Sequence, residues 1–96
     1  MVLSNDERDL LELVAQAGRP VWMSEYFPVL NPAETGMDEN HPGHEAWSER
    51  QMACYGVSLS LWKRGLVRVV VPADGSRGDL VDPTGEGRAA LAAANA

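Results

Sequence analysis

Apolar residues near the start of the chain recur at helical spacing: Leu10, Val14 and Ala17 form a stripe that Leu11 and Leu13 widen. Ser4 and Glu7 stand three residues apart just before it, the spacing of a capping box in which each side chain binds the other's backbone amide. Asp6 and Glu7 also suit the positive end of a helix dipole, and Gly18 and Pro20 stop the helix, so the pattern predicts a helix over about 5–17. Val21-Trp22-Met23 is long enough for one strand rung. Ser24 is read as a second N-cap with Glu25 in the first turn, opening a short helix of Tyr26, Phe27, Val29 and Leu30 that Asn31-Pro32 ends. Residues 31–43 lose all periodicity and hold two prolines, two glycines and three acids, which predicts a long loop, either functional or mobile.

The strongest signal is a long helix from about 45 to 64, closed by Gly65. Trp47, Cys54, Val57 and Leu61 share one side, and Met52, Tyr55, Leu59 and Trp62 make a second stripe at spacings of 3, 4 and 3. A helix apolar over more than half its circumference is normally covered on more than one side, so the second stripe is read first as core. The other reading is a partner surface, because aromatic residues and Met concentrate at interface centres. Gly56 costs about 1 kcal/mol relative to Ala in mid-helix, which marks it for close approach by another element. Leu66 to Val71 is β-branched and bounded by Gly65 and Pro72. A loop containing Asp74-Gly75 and a return through Asp79–Asp82 complete a predicted hairpin over 66–82. Pro83-Thr84-Gly85 leads into an Ala-rich helix at about 84–95 whose large anchor is Leu91.

Charge divides the chain. Net charge is −6, with eight acids and two cations before residue 44 and six of each after it. Four of the later cations, Lys63, Arg64, Arg68 and Arg77, fall within fifteen residues. An acidic total argues against a nucleic-acid binder, whereas the clustered cations leave the second half able to meet phosphate. The single Cys54 excludes an internal disulfide, and the start of the chain turns acidic at once, without a basic-then-apolar leader pattern. The expectation is one domain over 1–96, cytoplasmic, with no membrane partner.

Two segments carry a family resemblance. Leu61-Trp62-Lys63-Arg64-Gly65-Leu66-Val67 is similar to the segment that closes the third helix of MarR-like bacterial transcriptional regulators. Asp79-Leu80-Val81-Asp82-Pro83-Thr84-Gly85-Glu86-Gly87-Arg88-Ala89-Ala90-Leu91 resembles their returning wing strand and following helix. The motifs cover about a third of the chain, and the order of elements extends the likeness over nearly all of it. The resemblance implies an α+β, mostly α, winged helix-turn-helix fold with a three-helix core, a two-stranded wing and a C-terminal helix, here with an acidic insertion at 31–43. It also implies a prokaryotic or phage-like regulator of transcription that binds double-stranded DNA, with Thr84 capping the last helix and Gly65 turning the chain into the wing. The contacts carried over are Ser48, Arg50 and Gln51 on the third helix, Lys63 and Arg64 at phosphates, and Arg68 and Arg77 on the wing.

The same fold also serves protein–protein contacts. The alternative is therefore an adaptor or inhibitor of a regulator or polymerase, acting through Met52, Tyr55, Leu59 and Trp62, with a homodimer or a host protein as partner. An acidic decoy for a DNA-binding protein is a further option. No cofactor, metal or catalysis is expected. His41 and His44 with Cys54 lack a fourth zinc ligand, and Glu34, Asp38 and Glu39 do not have EF-hand spacing. Ser58 and Ser60 have no nucleophile elbow around them, and the periodicity that buries Cys54 makes it inert.

Overall fold

The computed structural model describes residues 2–33 and 36–95; Glu34, one of the loop carboxylates, lies outside them. Helix α1 spans Asn5–Gln16 and opens with the predicted capping box: the Ser4 hydroxyl accepts from the Glu7 amide at 3.1 Å, and the Glu7 carboxylate accepts from the Ser4 amide at 3.0 Å. Its apolar stripe buries Leu10, Leu11 and Val14 completely. Strand β1, Val21–Trp22, follows after a turn at Gly18.

The second helical segment differs from the prediction. A 3-10 turn covers Met23–Tyr26 and a single α turn, α2, covers Phe27–Leu30; neither has a side-chain cap, so Ser24 is not an N-cap. Pairing of Val21 and Trp22 with the sheet forces the chain to turn immediately after Trp22, which places Ser24 inside the 3-10 turn. After the loop, α3 runs His44–Lys63. It ends in a Schellman motif, in which the Leu66 amide donates to the Leu61 carbonyl at 2.9 Å and the Gly65 amide to the Trp62 carbonyl at 3.0 Å. Gly65 takes a φ of +72°, which other residues adopt only under strain.

Strand β2, Val67–Val71, pairs antiparallel with β3, Leu80–Pro83, and β3 also pairs with β1, giving the order β1-β3-β2. Val81 lies between Val21 and Val69, and the register slips between Val69 and Val71. Pro83 closes the central strand at its last residue, where the missing amide costs the ladder least. Helix α4, Gly85–Ala94, is capped by Thr84, whose hydroxyl accepts from the Gly87 amide at 3.0 Å and donates to the Gly65 carbonyl at 2.6 Å. Gly87 is buried against the Leu66 backbone, where a Cβ would collide with the carbonyl oxygen. The turn after α3 and the start of α4 are thereby tied together.

The described residues thus form an α+β fold, mostly helical, with four helices and a three-stranded antiparallel sheet. The core comprises Leu10, Leu11 and Val14 of α1, Val21 and Met23, Leu61 of α3, Leu66, Val67 and Val81, and Ala90 and Leu91 of α4. No described helix is long and apolar enough to cross a membrane. The molecule measures 43 × 33 × 21 Å. Its thinnest dimension holds about two layers of secondary structure, so α3 is covered on one side only.

Candidate interaction surface

That single cover overturns the reading of the second α3 stripe as core. Leu61 is the one fully buried residue of α3, and Val57 packs partly beside it. On the opposite side Met52 is 75% exposed, Tyr55 58%, Leu59 37% and Trp62 53%. Gly56 has nothing within 4 Å of a Cβ position, so no element of this chain approaches it, contrary to expectation. Trp47 and Cys54, expected in the core, are half-buried.

Tyr55, Leu59 and Trp62 form one wall of a cleft of about 420 Å³. Met23 and Phe27 form its floor, and Val69 and Val81 the sheet wall. The lining is mostly apolar, with the hydroxyls of Ser24 and Ser58, and Asp79 is its one charged residue. Val70 and Val71 are also exposed on the edge strand β2, and the register pairs Val71 with Leu80, on the sheet face away from Val81. A monomer rarely shows so large a contiguous apolar patch unless something binds it.

The cations predicted to meet DNA are mostly engaged within the chain. Arg50 donates from Nε to Asn31 Oδ1 at 2.8 Å, and Gln51 accepts at Oε1 from Asn31 Nδ2 at 3.1 Å. Asn31 is itself buried; it also donates to the Trp47 carbonyl at 3.1 Å, and its own carbonyl accepts from Trp47 Nε1 at 3.2 Å. Arg50 and Gln51 therefore hold the end of α2 against α3. Arg64 Nη1 lies 2.6 Å from both carboxylate oxygens of Glu7, and Nη2 donates to the Val2 carbonyl at 2.7 Å. Arg68 reaches Asp82 across the hairpin at 3.5 Å, a weak contact, and Arg77 lies 4.6 Å from the centre of the Trp22 ring. Lys63 is exposed at the last turn of α3, and Ser48 is half-buried on its first half. The exposed surface of α3 also carries Glu45 and Glu49, which repel phosphate.

The Glu7 cluster sets the position of α3. Burial of Glu7 raises its carboxyl pKa, but the Ser4 amide, the Arg64 guanidinium and the Ser60 hydroxyl, 2.9 Å from Oε2, outweigh it and hold the group down at about 2. The local capping box was legible in the sequence, but the link from Ser60 and Arg64, more than fifty residues away, was not. Their spacing of four residues on one helix face was the available signal.

Burial, followed by the negative charge of Asp6, pushes the Cys54 thiol up, which keeps it protonated and a poor nucleophile. His41 Nδ1 accepts from the Gly43 amide at 3.0 Å, and His44 opens α3 with its ring tilted against Trp47 at 6.0 Å. Among the described residues no group of three or more His, Cys, Asp or Glu side chains is placed to hold a metal ion. Asp74 at the hairpin tip accepts from the Ser76 amide and hydroxyl and the Arg77 amide, which lowers its carboxyl pKa. The chain matches no protein-family model, no curated protein and no solved structure closely enough to show kinship.

Proposed function

We propose that this chain is a winged-helix-type protein-interaction module that binds its partner through the apolar cleft between α3 and the sheet. The exposed stripe Met52, Tyr55, Leu59 and Trp62 carries the proposal, because exposing two aromatics, Met and Leu together is costly unless a partner covers them. The winged-helix assignment, and the likeness to MarR-type domains behind it, is supported by the element order and the sheet order β1-β3-β2, with β2 and β3 as the wing. Transcriptional regulation by DNA binding is the competing reading. It is weakened by the commitments of Arg50, Arg64, Arg68 and Arg77 and by Glu45 and Glu49 on the helix that would enter the groove. The function is binding rather than catalysis.

Titration of a random-sequence duplex at about 50 mM salt separates the two readings, since non-specific DNA affinity is greatest at low salt. An interaction module leaves the duplex unbound up to about 10 μM protein, where a non-specific DNA binder already shows complex. Binding that weakens steeply with salt and is lost in Lys63→Ala with Arg77→Ala overturns the proposal.

A further inference from the structure

We infer that the occupant of this surface is a second copy of the chain, with the two α3 helices packed antiparallel about a two-fold axis beside Val57. The inference rests on the interaction-module reading and names its partner. Met52, Tyr55, Leu59 and Trp62 have the 3-4-3 spacing of a coiled-coil seam, and this seam is complementary to itself. With the helices antiparallel, Met52 meets the partner's Trp62 and Tyr55 meets the partner's Leu59, so every layer joins a large ring to a flexible or branched aliphatic chain. Met52 is the most exposed of the four and lies outside the cleft, whereas Trp62 lines it. Each copy thus presents a knob to the other's hollow, as an isologous interface requires.

Two further features fit the same register. Along one flank of the seam, Glu49 falls opposite the partner's Lys63, an opposite-charge pair that symmetry makes twice. Lys63 has no carboxylate partner among the described residues of its own chain. On that flank Gly56 meets the partner's Gly56 at the axis. It is exposed, with open space where a Cβ would stand, so a glycine in the middle of a 20-residue helix gains its reason only from a second backbone coming close. The stripe with Val69 exposes on the order of 500 Å² of apolar surface, against the ~800 Å² per partner of a standard interface. With the Glu49, Gly56 and Lys63 flank added, the contact is at the small end of specific interfaces, the size of a reversible dimer. Each copy carries a charge of −6, so added salt relieves the net repulsion while it screens the two Glu49–Lys63 pairs, and the dimer depends on salt far less steeply than DNA binding does.

Sedimentation equilibrium of the full chain tests this. The mass should rise from one chain to two across the micromolar range, at low and at high salt. Glu49→Lys and Lys63→Glu should each weaken association about tenfold, and the two together should restore it to within about threefold. With Cys54→Ser as background, Gly56→Cys should cross-link on mild oxidation, whereas Ala53→Cys, off the seam, should not. A wild type that stays a single chain to several hundred micromolar overturns the second copy as occupant. If that protein also leaves duplex DNA unbound, the interaction-module reading stands for a different partner, whereas duplex binding defeats that reading whatever the mass. A charge swap that fails to restore association overturns the antiparallel register.

Discussion

Glu7→Gln isolates the charge that locks α1 to α3. Gln fits the capping box as well as Glu, so the helix start is kept while the anion opposite Arg64 and Ser60 is removed. A carboxyl held at about 2 rather than its ordinary 4.5 stabilises the fold by at most about 3 kcal/mol. The Glu7 side chain is 9% exposed but Arg64 is 29% exposed, so solvent screening brings the figure to about 2 kcal/mol. Because the folded state lowers this pKa, the contribution is complete above pH 4.5 and disappears as the pH falls toward 2. Urea unfolding followed by circular dichroism should therefore show the variant weaker by about 2 kcal/mol at neutral pH, with more than half of the gap gone by pH 3. In a domain this small the neutral-pH loss corresponds to roughly 8–15 °C in Tm. A gap that is the same at pH 7 and pH 3 would refute the assignment of the stabilisation to the ionised carboxylate.

Other perturbations have equally definite outcomes. Gly87→Ala drives a methyl into the Leu66 carbonyl and should cost about 3 kcal/mol, read as a fall of more than about 10 °C in thermal unfolding. Asn31→Ala removes three side-chain hydrogen bonds and should cost about 2 kcal/mol, with faster amide hydrogen exchange confined to the end of α2 and the first half of α3. Thr84→Ala loses both the α4 cap and the bond to the Gly65 carbonyl, and a loss of about 1–2 kcal/mol in urea unfolding is expected.

What could be read from the sequence was what local chemistry decides. Ser4 with Glu7, Gly65 after α3 and Thr84 before α4 sit where predicted because caps and left-handed turns depend on a few adjacent residues. Ser24 failed as a cap because pairing between Val21 and Val81, sixty residues apart, decides where the chain can turn. The stripe Met52, Tyr55, Leu59 and Trp62 was visible as a stripe, yet periodicity tells which residues share a face and not whether the chain has a layer left to cover it. The cations of the later half were legible as a cluster. The engagement of Arg64 by Glu7, of Arg50 by Asn31 and of Arg77 by Trp22 was not, because each partner comes from another element. Gly56 stands out by its mid-helix position, and no element of the described chain approaches it.

Both the interaction module and the dimer require the outward face of α3 to be a surface for a partner and not interior. The combined Tyr55→Ala and Trp62→Ala variant, melted at low concentration and weighed by light scattering at high concentration, tests that directly. The Tm should stay within about 5 °C of the wild type while the two-chain species is lost, since truncating exposed side chains costs a fold little. A variant that melts tens of degrees lower, as the loss of about 3–5 kcal/mol per buried ring would cause, would contradict it.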